Sequence, residues 1–248
     1  MSEVQEGRAI YPSLRGKKVL VTGGGSGIGA GIVEGFVAQG SDVTFFDING
    51  EESQVLAERS GAKFVNVDLR DIAAIRSAIA EVGSIDVLVN NAANDDRHAI
   101  GDVTEDYWDD RLNVNLKHQF FCAQAVAPVM RANGGGAIIN LGSISWHLAL
   151  PDLALYQTCK AAIEGMTRAL ARDLGGDNIR VCCVVPGNVR TPRQMQWYTP
   201  EGEAEIVAAQ CLDGRLAPED VAALTMFLAS ADARLITGHE YFVDAGWR

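Results

Sequence analysis

The chain has 248 residues, of which 48% are hydrophobic, and its formal net charge at pH 7 is −11. This length and composition suit one large hydrophobic core, and the negative charge disfavours binding to nucleic acids, anionic membranes and acidic proteins. No apolar run reaches the ~18 residues of a membrane span, and residues 1–14 contain no continuous hydrophobic segment, so we expect a cytoplasmic protein without a signal peptide.

The cysteines and histidines do not have the spacing of a metal site. The five cysteines include no CxxC pair, and the four histidines are scattered. Cys182 and Cys183 are adjacent in a strand-like run, which should direct them to opposite faces of a sheet as buried free thiols. Cys159 stands next to Lys160 and could be reactive, although packing is the favoured interpretation. We expect no bound metal.

Residues 17–22 form a predicted buried strand that runs directly into a glycine-rich turn. A helical pattern follows over residues 28–39. Glycines allow close approach to a pyrophosphate, and the helix N-terminus offers unpaired N–H groups, so the unit predicts dinucleotide binding. The spacing G-x-x-x-G-x-G fits the general fingerprint loosely, and a flexible loop is the alternative. The candidate cofactor-binding residues here are Gly23, Gly25, Ser26, Gly27, Ile28 and Gly29.

The second predicted strand, 42–46, ends at Asp47, 18 positions beyond Gly29. A carboxylate at this place can accept hydrogen bonds from an adenosine ribose, and it would repel a 2′-phosphate. The residue therefore favours NAD over NADP, with Ile48 beside it as a further cofactor candidate. The alternative is that Asp47 caps the next helix.

The third and fourth predicted strands, 62–67 and 85–89, also end in polar residues. Asp68 and Leu69 follow the third strand, where Asp68 could contact the adenine amino group. The fourth strand continues into the polar stretch 90–98, which includes Asn91 and Asn94 and belongs at the ligand crevice of a parallel sheet. For residues 96–98 a solvated loop is an equal alternative.

A long helix is predicted over residues 106–131, with Thr104 as its N-cap. Asn115 lies in its middle, where asparagine is mildly unfavourable, so both a functional and a surface role are open. Pro128 is expected to kink or shorten the end of this helix.

Tyr156 and Lys160 stand four residues apart, which places them on one face of a helix. Ser143 precedes them, at the end of the predicted strand 137–141. A phenol, an ammonium group and a hydroxyl together suit proton transfer, and the ammonium should lower the pKa of the phenol. Tyr-x-x-x-Lys also occurs by chance on ordinary helices, so the pair alone is weak evidence.

The last third of the chain contains two more predicted strands, 179–185 and 240–243, and a helix over 218–230. Between them, residues 190–214 form a polar segment long enough to be a substrate lid. There is no repeat, linker or low-complexity stretch. We predict a single domain over residues 1–248, with residues 1–16 as an N-terminal extension.

In their order and spacing, these motifs resemble the short-chain dehydrogenase/reductase family along essentially the whole chain. The resemblance is carried by 22–29, 90–92, Asn115, Ser143, Tyr156, Lys160 and 186–187, while Ala93 departs from the usual glycine. It implies an α/β fold, a single Rossmann-type doubly wound domain whose seven-stranded parallel sheet is flanked by helices. It also implies a homotetramer.

The same resemblance implies roles for individual residues. The implied catalytic residues are Ser143, Tyr156, Lys160 and Asn115, with Asn115 helping to hold a relay water. Tyr156 and Lys160 would also contact the cofactor, Lys160 through the nicotinamide ribose. Val189 and Thr191 resemble positions that contact the carboxamide and a phosphate.

Five stretches are similar to the bacterial D-xylose 1-dehydrogenases of this family: 94–98, 143–147, 185–189, 196–204 and 244–248. This similarity implies that a cyclic aldopentose is oxidised at C1, with hydride transfer to NAD and formation of the aldonolactone. The implied substrate-binding residues are Asn94, Ser143, Trp146, His147, Tyr156 and Asn188. For Trp146 and Trp197, ordinary packing is the alternative.

Other functions stay open. Another aldose, such as L-arabinose or D-glucose, could be the substrate. A carbonyl or 3-oxoacyl carrier-protein reductase is disfavoured by the net charge of −11 and by Asp47. A non-catalytic NAD-sensing regulator is disfavoured because the catalytic set is complete.

Overall fold

Seven parallel strands form one sheet in the order β3-β2-β1-β4-β5-β6-β7. The computed structural model describes residues 8–196 and 198–247. The strands are β1 (Lys18–Thr22), β2 (Asp42–Asp47), β3 (Lys63–Asn66), β4 (Val87–Asn90), β5 (Gly136–Leu141), β6 (Ile179–Pro186) and β7 (Glu240–Val243). The predicted α/β architecture with a seven-stranded parallel sheet is confirmed, with helices on both faces.

Helices connect successive strands and cover the two faces of the sheet. They are α1 (Gly27–Ala38), α2 (Gly50–Ser60), α3 (Ile72–Val82), α4 (Glu105–Leu112), α5 (His118–Ala132), α6 (Ala154–Leu174), α7 (Pro192–Met195), α8 (Pro200–Ala208) and α9 (Pro218–Ala229). One core lies beneath α1 and α9 and a second beneath α3 and α5. Cys182 joins the first core, and Cys183 packs on the opposite face with Ile144, so the prediction of opposed, buried thiols is confirmed.

The long helix predicted over 106–131 is interrupted, and the prediction of one continuous helix is wrong. A π-helical turn, Asn113–Lys117, separates α4 from α5. Thr104 caps α4 by accepting a hydrogen bond from the N–H of Tyr107 at 3.2 Å, as predicted. Pro128 does not end α5, which continues to Ala132. Proline removes the partner of the Gln124 carbonyl, and Gln124 is exposed, so water can satisfy that oxygen.

The strand order reverses between β1 and β4, and this reversal opens a crevice at the carboxyl ends of the strands. The glycine turn follows β1 and the asparagine-rich loop follows β4, so both border the crevice. Among residues 8–196 and 198–247, no helix is long and apolar enough to cross a membrane.

Candidate active site

The glycine turn after β1 is packed tightly against the start of α1. Gly23 has a φ of +63°, which favours glycine, and its N–H donates to the carbonyl of Phe46 at 2.7 Å. A Cβ atom at Gly29 would lie 1.9 Å from the Gly23 carbonyl oxygen. Only a glycine at position 29 therefore allows the turn to rest on the first turn of α1.

The carboxylate of Asp47 lies at the mouth of this turn. It accepts hydrogen bonds from the N–H of Gly25 at 2.8 Å and from the N–H of Asn49 at 2.9 Å. The N-cap of α2 is Asn49, so Asp47 is not the capping residue that the alternative interpretation required. Ile48, beside it, is 60% exposed.

Asp68 is paired within its own loop. Its carboxylate accepts from Arg70 Nε at 3.0 Å and from Arg70 Nη2 at 2.8 Å, and these hydrogen bonds hold its pKa below the usual range. Any adenine contact by Asp68 has to compete with this arginine. Leu69, its predicted companion, is buried.

The loop after β4 is tied to both the glycine turn and the π turn. Asn91 Nδ2 donates to the carbonyl oxygens of Thr22 at 3.1 Å and of Gly23 at 2.7 Å. Asn115 is fully buried, which excludes the surface role considered from the sequence. Its Oδ1 accepts from the Asn94 N–H at 2.8 Å, and its Nδ2 donates to the Asn94 carbonyl at 3.0 Å. Asn115 thus fixes the backbone of Asn94.

Lys160 and Tyr156 project from one face of α6, and Ser143 follows β5. Lys160 is 2% exposed, its Nζ donates to the Leu141 carbonyl at 2.8 Å, and Nζ lies 5.4 Å from the centre of the Tyr156 ring. The Ser143 hydroxyl accepts from the Ser145 N–H at 3.2 Å and donates to Ser145 Oγ at 3.0 Å.

The ionisation of this pair differs from the sequence prediction. Burial lowers the pKa of Lys160 to about 8. Burial and the negative charge of Asp95 raise the pKa of Tyr156, and a hydrogen bond with Ser143 opposes that rise only in part. The expected lowering of the Tyr156 pKa is therefore wrong for this structure, because desolvation outweighs the hydrogen bond with Ser143 and the positive charge of Arg193.

Trp146 and His147 share one hydrogen-bond partner, the carboxylate of Glu164. Trp146 Nε1 donates to Glu164 Oε1 at 2.8 Å, and His147 Nε2 lies 3.1 Å from the same oxygen. Their rings stack with centres 3.8 Å apart, and His147 also packs on Phe242. Trp146 Nε1 and His147 Nε2 are thus engaged by Glu164, which leaves the ring faces and His147 Nδ1 for other contacts. Trp197 lies outside the described residues.

The segment after β6 passes over the glycine turn. Thr191 Oγ1 caps α7 by accepting from the Gln194 N–H at 3.2 Å, and a Cβ at Gly27 would lie 3.3 Å from Thr191 Cγ2. Val189 is buried and pairs with Leu216 in an isolated bridge. Asn188 Oδ1 accepts from the Tyr198 hydroxyl at 2.6 Å and from Arg215 Nη2 at 2.8 Å. Of the predicted residues of this segment, Thr191 lies beside the glycine turn, whereas Val189 is buried and Asn188 contacts Tyr198 and Arg215.

A family model of short-chain dehydrogenases, described as "Enoyl-(Acyl carrier protein) reductase", matches residues 23–248. The chain belongs to the short-chain dehydrogenase/reductase family.

Relatives of this dehydrogenase/reductase match it over almost its full length. It is 65% identical over 245 residues to the D-xylose 1-dehydrogenase of Caulobacter vibrioides (strain NA1000 / CB15N), which covers 97% of this chain and 99% of the relative. It is 46% identical over 247 residues to the probable galactose dehydrogenase GalD of Rhizobium meliloti (strain 1021), over 95% of this chain and 96% of the relative. A solved structure, a blue fluorescent protein from a metagenomic library in complex with NADPH, is 35% identical with a TM-score of 0.87, covering 95% of this chain and 99% of that chain.

This family member also contains a set of contacts that the sequence did not single out. Arg193 Nε donates to Asp95 Oδ1 at 3.0 Å, Arg193 Nη2 donates to Asp96 Oδ1 at 2.7 Å, and Gln194 Nε2 donates to Asp95 Oδ2 at 2.7 Å. The contacts join α7 to the loop after β4. The sequence did carry a signal for these contacts: the aspartates follow the carboxyl end of β4, Arg193 follows that of β6, and the two segments have opposite charges.

In the part of the chain that the structure describes, no group of three or more histidine, cysteine, aspartate or glutamate side chains is placed to hold a metal ion. The polar groups found at the site of this dehydrogenase/reductase are hydroxyl, amide, ammonium and carboxylate groups.

Proposed function

We propose that this dehydrogenase oxidises the C1 hydroxyl of a cyclic aldopentose, D-xylose in preference to other aldoses, with hydride transfer to NAD and formation of the aldonolactone. The observation that carries the proposal is the 65% identity, across 97% of the chain, to a protein named D-xylose 1-dehydrogenase. The presence of Ser143, Tyr156 and Lys160 in one crevice supports it.

In the proposed reaction, Tyr156 acts as the base. As phenolate it takes the proton of the C1 hydroxyl, the C1–H bond electrons leave as hydride, and a C1=O bond forms. Ser143 donates a hydrogen bond to the same oxygen and stabilises its developing charge. Asn115 supports the site by fixing the backbone of Asn94. NAD, when bound, supplies the hydride acceptor.

Lys160 supplies the positive charge that the phenolate needs. Because burial raises the pKa of Tyr156, the phenolate depends on a nearby cation at neutral pH. The pKa of Lys160, about 8, leaves this ammonium mostly charged at pH 7.

We propose NAD as the cofactor. The Asp47 carboxylate beside the Gly25 N–H suits ribose hydroxyls and would repel a 2′-phosphate. The NADPH named for one solved relative belongs to that protein. The residues proposed to hold NAD are Gly23, Gly25, Ser26, Gly27, Ile28, Gly29, Asp47, Ile48, Asp68, Leu69, Asn91, Tyr156, Lys160, Val189 and Thr191.

Ser143 and Tyr156 are proposed to contact the sugar at C1, with Asn94 and Asn188 near its other hydroxyls. Trp146 and His147 are proposed to contact the sugar through their ring faces and His147 Nδ1, because Glu164 engages Trp146 Nε1 and His147 Nε2. Residues 190–214 are proposed as the lid of a single domain. A relative named as a probable galactose dehydrogenase makes D-galactose the hexose of first interest. We also propose a homotetramer in the cytoplasm.

Initial rates test the function. Wild type, Tyr156→Phe and the control Tyr241→Phe are assayed with D-xylose, L-arabinose, D-glucose and D-galactose, each with NAD or NADP. We expect the highest kcat/KM with D-xylose and NAD, and a fall in kcat of about 10²-fold or more for Tyr156→Phe, the scale of general base catalysis. Tyr241 lies on β7, so its variant should keep the wild-type rate.

Each result has a separate meaning. Equal rates for wild type and Tyr156→Phe would reject Tyr156 as the base. A preference for NADP would reject the role given to Asp47, and absence of oxidation of any aldose would reject the function itself.

A further inference from the structure

Asp95 is a carboxylate in the crevice to which the proposed chemistry gives no role. It follows Asn94 in the loop after β4, and its side chain is 31% exposed. Arg193 Nε and Gln194 Nε2, both on α7, donate to its two oxygens at 3.0 and 2.7 Å. The carboxylate is thus held in place by two donors from the segment that crosses the crevice.

The charge of Asp95 acts on the reacting end of the site. It raises the pKa of both Tyr156 and Lys160, whereas the positive charge of Arg193 lowers that of Tyr156. Asp95 and Arg193 are therefore near enough to the phenol to act on it electrostatically, although the Arg193 side chain is 54% exposed.

The neighbouring Asp96 provides a contrast. Its side chain is 51% exposed, and its carboxylate accepts from Arg193 Nη2 at 2.7 Å and from Arg111 Nη1 at 3.2 Å. The two aspartates share a loop and an arginine, yet Asp96 is not among the charges that affect the pKa of Tyr156 or Lys160.

Several other polar atoms of the crevice are hydrogen-bonded within the protein. Trp146 Nε1 and His147 Nε2 bind Glu164, and Asn188 Oδ1 binds Tyr198 and Arg215. A carboxylate has about four acceptor positions, and α7 uses two of those on Asp95. Sugar hydroxyls are donors, and hydrogen bonds to a carboxylate are stronger than those between neutral groups.

We propose that Asp95 is a sugar-binding residue whose carboxylate accepts a hydrogen bond from a ring hydroxyl of the aldose other than the one at C1. This inference rests on the proposed function and deepens it. Arg193 and Gln194 position the carboxylate, so that the sugar and α7 meet at the same group. Asp95 takes no part in proton transfer, which remains with Tyr156.

The test compares Asp95→Asn with the matched control Asp96→Asn. Both variants and wild type are assayed with NAD and with D-xylose or its 2-, 3- and 4-deoxy derivatives, and NADH affinity is measured by fluorescence. Asparagine keeps the size of the side chain and removes the charge. If Asp95→Asn does not fold, Asp95→Ser replaces it.

We expect Asp95→Asn to lower kcat/KM for D-xylose by about 10- to 100-fold, mainly through KM, the range for a lost hydrogen bond to a charged group. NADH affinity should stay within about 2-fold, since the carboxylate contacts the sugar, and Asp96→Asn should stay within about 3-fold of wild type in kcat/KM. With one of the three deoxy sugars, wild type and Asp95→Asn should agree within about 3-fold, because the contacted hydroxyl is already missing.

Two results would overturn the proposal. One is an Asp95→Asn variant as active as Asp96→Asn on D-xylose. The other is the same loss on D-xylose and on all three deoxy sugars, which would indicate an effect on Tyr156 instead of a sugar contact. In both cases wild type still oxidises D-xylose, so these results differ from failure of the proposed function, in which wild type oxidises no aldose.

Discussion

His118 is fully buried just after the π turn, and its Nε2 lies 3.1 Å from the carbonyl oxygen of Ala92 in the loop after β4. Burial, reinforced by the positive charge of Lys160, lowers the pKa of His118 to about 4. Two buried cations so close together would be costly, so the site keeps the histidine neutral while Lys160 remains the ammonium.

This depressed pKa predicts a loss of stability in acid. In the unfolded chain, His118 would have its ordinary pKa of about 6.5. Between pH 6.5 and 4 the unfolded chain therefore binds a proton at this histidine, whereas the folded chain does not. The free energy of unfolding should therefore fall by about 2 kcal/mol between pH 8 and pH 5 through this group. Urea unfolding of His118→Gln should lack that part of the pH dependence.

The exposed His239 provides the matched control, because His239→Gln changes the same chemical group outside the core. If His118→Gln and His239→Gln show the same change in unfolding free energy between pH 8 and pH 5, the argument from burial is wrong.

Candidate site residues could be named from the sequence where a short motif implies them, as at Tyr156, Lys160 and Asp47. The ionisation of Tyr156 and Lys160 could not be predicted, since it depends on burial and on charges such as Asp95, which become neighbours only in the folded chain. Trp146 and His147 illustrate the same limit: their chemistry suits a sugar, but Glu164, 18 and 17 residues away in the chain, engages Trp146 Nε1 and His147 Nε2.

At the scale of elements, α1 and the glycine turn form one packed unit. Gly29→Ala would place a Cβ 1.9 Å from the Gly23 carbonyl oxygen and 2.7 Å from Asn91 Nδ2. We expect the turn to move away from α1, with a loss of about 1–3 kcal/mol in stability and at least a 10-fold weaker affinity for NADH. Thermal unfolding and a fluorescence titration measure the two effects.

Gly35→Ala is the control on the same helix, because a Cβ there would meet Met226 Sδ at 3.2 Å, and the flexible methionine side chain can move. Wild-type NADH affinity in Gly29→Ala would disprove the steric argument.

Element positions followed well from periodicity. β7 has the predicted bounds, and the other strands differ by one or two residues at one end or, for β3 and β4, at both ends. The interrupted α4–α5 helix did not follow, because a π turn inserts one extra residue into an otherwise ordinary helical pattern. Asn115, an unfavourable residue for a helix interior, was the only hint of it.

For the whole molecule, the family resemblance implied a seven-stranded parallel sheet, and the strand pairing confirms it. Local pattern alone does not determine how α7 reaches Asp95, since Gln194 and Asp95 are 99 residues apart.

The proposed tetramer predicts a mass of about 106 kDa, four chains of 26.5 kDa. Large apolar side chains support it: on α4 and α5, Trp108 is 43% and Phe120 is 41% exposed. Phe120→Glu should lower the mass measured by light scattering, because a charge in an apolar interface is costly.

Val55→Glu, at an exposed apolar position on α2, should leave the tetramer intact. A monomeric wild type, or equal masses for the two variants, would count against an interface at α4 and α5.

The π turn places a constraint on the length of the chain. α4 has no buried residue, whereas α5 has seven. The five-residue π turn lies between the two helices, where the chain passes from an exposed helix to one packed on the core. An extra residue advances the helix by about 100°, so deleting one residue between Thr104 and His118 would turn Asn115 away from Asn94 even if every side chain were retained. The number of residues between Thr104 and His118 is therefore constrained more strongly than the identity of most of those residues.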